Sequence, residues 1–398
     1  MSDQPSLTPL GKLVIALFAL ACIGGGFFLL SKGDSASGEA TSAPAASTSP
    51  ADREATITLG IAYGTEKKRW LLWAAEEFAK TEAGQRISLD LIPMGSVEGA
   101  KAIVAGDERI HVWSPASAAY RDTFEQDWQI KHNSQPILSA EDLALSPMVF
   151  VMWKKRYQAF IEQYGSLTFQ TLRQATTAPG GWADIANKPE WGYFKFGHTN
   201  PKESNSGVLA LVLTAYDYHD KHRALKLADI LDPGFQEHFR ALESTVTGLP
   251  HSTGTLMHEM ILKGPSAYDA VLVYENLAMS YFENAKGRSG ELTIVYPEKN
   301  MWNANPYYIL DAPWSSSAQR QAAETFRDFL LSENIQAHAV TEGFRPANVQ
   351  VPYNTPDSPF TRYQAAGIKN DIPTVCEPPS ADVLHNLILG WERLRASR

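Results

Sequence analysis

Cysteine is almost missing. Cys22 and Cys376 are the only two in 398 residues, so neither a disulfide framework nor a cysteine zinc site can be built. Positive charge is in deficit: 35 Lys and Arg face 44 Asp and Glu, for a formal net charge of −9. A general nucleic-acid binder needs a basic stripe to neutralise phosphates, so the balance argues against nucleic acid as a partner while leaving room for local basic patches. Catalytic motifs are wanting too. No G-x-S-x-G elbow, P-loop, G-x-G-x-x-G or H-E-x-x-H occurs, and His258-Glu259 lacks the second His four residues after the first. His198, His251 and His258 could meet in space, yet nothing in their spacing requires it, and packing or surface roles are the simpler reading. With no nucleophile–base pair in view, no enzyme is expected, and no cofactor or metal is called for.

What is present suffices for a large folded body. Hydrophobic residues make up 44% and aromatics 11% of a chain long enough for two domains. After a short tail, residues 1–12, the run Leu13–Leu30 (LVIALFALACIGGGFFLL) carries no charge. As a helix it would reach about 27 Å, just enough for a hydrocarbon core. A cleaved signal peptide would want a shorter apolar stretch. Ala19-Leu20-Ala21-Cys22 resembles a lipobox, but in an atypical order. Residues 13–30 are therefore expected to be a single-pass transmembrane anchor in a cell inner membrane. Residues 31–54, rich in Ser, Ala, Pro and Gly, read as a flexible linker without periodicity.

From about Ala55, strand-like and helix-like periods alternate. Strands are expected at Thr56–Ala62, Ile87–Ile92 and Ile110–Trp113, followed by Tyr63-Gly64-Thr65, Pro93-Met94-Gly95-Ser96 and Ser114-Pro115-Ala116-Ser117. In open parallel sheets ligands lie beyond such strand ends, which offers Thr65, Ser114 and Ser117 as contacts. Leu143–Met152 is a long apolar strand broken by Pro147, as suits an edge or a crossing between domains. Lys67-Lys68-Arg69 reads as a solvated first helical turn, with attraction of anions as its alternative, and Trp113 and Trp302 as core, with stacking on a sugar ring as theirs. Beyond a strand at Tyr193–His198, the loop ending Ser204-Asn205-Ser206-Gly207 opens an apolar helix. There Ser and Asn would cap free N–H groups, and Gly207 would let a ligand approach the main chain.

FGHTNPKESNSGVLALVLTAYDY, YDAVLVYENLAMSYF, LTIVYPEKNMWNANPYYIL, APWSSSAQRQAAETFRDFLLSENIQ and EGFRPANV follow in that order. Together, over residues 56–348, they resemble the bacterial extracellular solute-binding proteins of ABC importers, most distinctively at Gly343–Pro346. The resemblance implies an α/β, two-lobed type 2 periplasmic-binding-protein fold with a central ligand cleft. Lobe 1 would take residues 55–148 and 292–398, and lobe 2 residues 149–291. It also implies that helix N-termini of both lobes face one ligand, with Ser204, Asn205, Ser206, Tyr274 and Glu275 on one wall and Thr65, Ser114 and Ser117 on the other. Glu275 would repel an oxyanion unless Lys202 or another base neutralised it, and a hinge salt bridge is its alternative. The implied function is capture of a small polar solute, an oxyanion slightly favoured, by a domain in the periplasm or extracellular space. A separate permease and its ATPase would be partners, with the bilayer contacted through residues 13–30. The alternative is a ligand-sensing or assembly module with no transport role.

Overall fold

A computed structural model describes residues 56–246, 248–372 and 374–397. The expected tail, anchor and linker lie outside the described residues. Among those described, no helix is long and apolar enough to cross a membrane.

Strand β1 (Ile57–Tyr63) pairs in parallel with β2 (Ile87–Pro93) and with β3 (Val112–Ser114). β4 (Ile137–Asp142) lies on the far edge of the same sheet. A second sheet is built on β5 (Ala144–Trp153), with β6 (Phe196–Gly197), β7 (Ala270–Tyr274), β8 (Leu292–Val295) and β9 (Trp302–Asn303). β10 (Pro306–Leu310) returns to the first sheet between β3 and β4, and β11 (Arg345–Pro346) pairs with the start of β5. The first sheet therefore reads β2-β1-β3-β10-β4.

Side chains alternate across β1 as the period of two demands. Leu59, Ile61 and Tyr63 join Trp70, Phe78 and Phe326 in one apolar cluster, while Ala62 faces another. That second cluster is continuous. It runs from Trp113, Phe124 and Trp128 beside the first sheet to Phe150, Leu209, Val271 and Trp391 around the second. Residues Glu54–Arg398 accordingly form one compact unit.

Two segments sit otherwise than the expected lobe limits suggest. Leu292–Val295 pairs with Phe150–Trp153, so the chain is still in the second sheet past residue 291. Helix Ala381–Ala396 packs against Arg121–His132 and also against Asn205–Tyr218 and Pro233–Glu243, spanning both halves because its apolar face is broad. Within the stretch 348–380, Val351, Phe360, Ile368 and Cys376 are buried.

β5 leads the chain from the first sheet into the second, and Pro147, set opposite Trp302 of β9, has no N–H to give its ladder. Three buried asparagines answer for the backbone there. Asn300 donates to Met148 O at 2.8 Å and accepts from its N–H at 3.0 Å. Asn303 and Asn305 donate to Ser146 O and Ala144 O, each at 2.8 Å. Alternate positions of the strand are thus held by side-chain amides, so buried carbonyls around the proline keep partners. Replacing Asn303 by Ala should strand Ser146 O and lower unfolding free energy by about 1–3 kcal/mol, read as a lower urea midpoint at unchanged m-value.

Candidate ligand-binding site

The loops that leave β1, β2 and β3 meet those that leave β6 and β7. One half of this meeting is closed by the protein itself. Ser117 Oγ, after β3, donates to Asn205 Oδ1 at 2.7 Å, and Asn205 Nδ2 donates to Tyr274 Oη and Asn303 Oδ1, each at 3.1 Å. Every polar valence of that amide but one lone pair is then engaged. Ser206 Oγ lies 2.7 Å from both Thr199 Oγ1 and Thr253 Oγ1, and 3.3 Å from Ser204 Oγ. All of these side chains are buried. The Tyr274 phenol is pushed well above its ordinary range, chiefly by burial and further by the Glu66 carboxylate.

Several expectations change here. Ser204 occupies the N-cap of helix Asn205–Tyr218, but its hydroxyl caps no N–H and turns to Ser206 instead. The space beside Gly207 is taken by the chain: a Cβ there would stand 2.4 Å from Thr199 O and 2.7 Å from Pro201 N. Ser114 is buried, and its Oγ has no hydrogen-bond partner among the described residues. Glu275 faces away from any cleft. It grips Arg345 through two contacts, at 2.8 and 3.0 Å, and accepts from the Tyr296 hydroxyl. A buried salt bridge with Arg345 is its place, and Lys202 pairs with Glu392 instead. Arg345 is also ringed by Trp302, Tyr353 and Phe360 at 5.3–5.4 Å, so Trp302 is a half-exposed cover while Trp113 is core.

The other half stays open as a cavity of about 650 Å³. Thr65 and Pro93 line it from the first sheet, and Ser252, Thr255 and Asn276 from the second. Of the eight residues expected to touch a ligand, Thr65 alone reaches this space; Glu275 is turned to Arg345, and the other six form or adjoin the sealed wall. His251 and His258 also line the cavity, whereas His198 lies in the core. Among the described residues no group of three or more His, Cys, Asp or Glu converges to hold a metal ion.

Charge at the site departs from a solvated first turn. Lys67 is fully buried: its Nζ lies 2.5 Å from Glu66 Oε1 and donates to Asn305 Oδ1 at 3.1 Å and Pro115 O at 3.2 Å. Burial holds its pKa below the ordinary value despite Glu66. Lys68 and Arg69 are exposed as expected, and Arg69 pairs with Glu342 at 3.0 Å.

A profile of bacterial extracellular solute-binding proteins matches residues 59–345. The chain belongs to that family. No curated protein sequence matches significantly. Solved structures share the fold: the sulfate-binding protein SubI from Mycobacterium tuberculosis H37Rv has 15% identity and a TM-score of 0.53, over 87% of this chain and 99% of that one. A periplasmic thiamin binding protein reaches 0.57 at 13% identity, over 85% and 96%. AfuA from Actinobacillus pleuropneumoniae, with fructose-6-phosphate bound, reaches 0.55 at 13%, over 84% and 98%. The two-sheet α/β fold is that of the type 2 periplasmic binding proteins.

Sequence reasoning missed the groups that shape this solute-binding protein's site from behind. His198 donates or accepts with Glu243 at 3.1 Å and bonds Thr199 O at 2.7 Å, holding the turn that carries Ser204–Ser206. Burial opposes its protonation, but the Glu243 carboxylate and the Thr199 carbonyl outweigh burial and raise its pKa. A raised folded value stabilises fully below the unfolded pKa of about 6.5 and ceases to do so as pH rises through the folded value. Unfolding free energy should therefore fall over that interval, and His198→Gln should flatten the fall, as measured by chemical denaturation across pH.

Proposed function

We propose that this protein captures a small polar solute outside the cytoplasm and presents it to an ABC importer, with permease and ATPase as separate chains. The cavity between the β1–β2 and β6–β7 loops carries the reading. Its volume of about 650 Å³ lies within the roughly 300–1,000 Å³ that suit small organic ligands. Hydroxyls and histidines supply polar contacts there, and Leu277 and Phe344 supply apolar ones. The two carboxylates on its wall are already neutralised, Glu66 by Lys67 and Glu342 by Arg69. Lys68 has no carboxylate partner within ion-pair distance among the described residues, so the balance favours an anionic solute. Residues 13–30 tether the domain to the inner membrane in this proposal, and no cofactor takes part.

An assembly role that needs no solute is the second reading, favoured by the sealing of half the cleft. Thermal unfolding of the full-length chain in detergent against oxyanions, sugar phosphates, sugars and amino acids separates the two. A captured solute at 100 times its dissociation constant should add about 2.7 kcal/mol of stability. Lys68→Glu should then weaken an anion about tenfold, or about 1.4 kcal/mol, by calorimetry. Ser206→Ala should lower stability and leave affinity unchanged. A library that produces no shift would remove the capture proposal and leave the second reading.

A further inference from the structure

Helix Ser96–Ala105 begins at the junction of the two halves, after β2. A helix start leaves N–H groups without intrahelical partners, and something must answer them. Here the answer comes from the other half of the molecule. Glu203 O accepts from Val97 N–H at 3.0 Å and from Glu98 N–H at 3.2 Å. The Glu98 carboxylate takes Gly95 N–H at 3.1 Å, which completes the turn.

The turn that delivers this carbonyl is braced throughout. Ser204 N–H and Glu203 N–H both donate to Asn200 O, at 2.9 and 3.1 Å, and Asn200 N–H donates to Pro250 O at 3.0 Å. Lys101 Nζ donates to Lys202 O at 3.0 Å, and Lys202 pairs with Glu392 at 2.9 Å. Approach this close is possible only because residue 95 is glycine. A Cβ there would stand 2.1 Å from Glu203 O and 2.8 Å from its carbonyl carbon. Gly95 itself has φ −65° and ψ 148°, which alanine adopts without strain. The missing methyl thus serves the contact and not the local backbone.

We propose that the Asn200–Ser204 turn is a built-in plug. Its Glu203 carbonyl stands where a solute would otherwise meet the amino end of helix Ser96–Ala105, so the two halves stay closed with nothing bound. A bare inorganic oxyanion consequently finds no seat at those amides, and solutes are confined to the cavity beside Thr65. The Ser117–Asn205 bond and the continuous apolar cluster hold the same arrangement from either side. This inference builds on the binding-protein reading, but its main test contains no solute and succeeds or fails separately from capture.

Hydrogen exchange on the full-length chain in detergent, without solute, reads the plug at Val97 and Glu98. Both amides should exchange as slowly as the interior of their helix. Gly95→Ala should speed them at least tenfold while β5 stays protected, which shows that the fold survives. Should that variant not fold, Asn205→Ala, which removes the bond to Ser117, should speed them to a smaller degree. Inorganic sulfate added to the unaltered chain should leave both rates unchanged. Unprotected amides in the unaltered chain, amides untouched by either substitution, or a sulfate-dependent rate at these two positions would each overturn the plug.

Discussion

Proline has no N–H to give a ladder, and Pro147 stands inside β5, the strand that leads from the first sheet into the second. Much of the molecule depends on how the chain is held around it. Asn300, Asn303 and Asn305 give side-chain amides to the carbonyls of Met148, Ser146 and Ala144, and each is buried. Because buried carbonyls are costly without partners, the three amides fix the path of β5. They also fix what meets it: Asn305 receives Lys67, and Asn303 receives Asn205. Strand β5 and the wall of the site are one hydrogen-bonded body.

That continuity explains the shape of the opening. Groups of opposite origin satisfy one another along the β3–β6 side: a serine with an asparagine, a helix start with a carbonyl. Among the described residues no hydrogen bond joins Thr65–Lys67 to helix Thr253–Lys263, and there the cavity persists. Lys67 accounts for the electrostatics. Its buried cation cancels Glu66 at the cavity wall, which leaves Lys68 to set the sign of the rim.

The strand ends and their polar loops were legible because a period of two followed by Gly, Ser or Pro is a local pattern. So was the crossing, since Pro147 announces itself within an apolar run. The roles of Asn300, Asn303 and Asn305 were not, because their partners lie more than 150 residues away in sequence. Lys67 looked like its exposed neighbours Lys68 and Arg69, and only tertiary packing separates them. Helix Arg121–His132 drew no expectation, since it buries just Phe124 and Trp128 on an otherwise polar sequence. Gly207 and Gly95 both mark close approach by main chain, as glycine there suggests; in each case the visitor is the protein's own backbone.

One apolar cluster joins Trp113 and Phe124 to Phe150, Val271 and Trp391 without interruption. Halves of a molecule that share a core have no separate melting points. Heat should take both apart in a single cooperative step, with calorimetric and van't Hoff enthalpies equal, and neither half would survive as a folded remnant of the other.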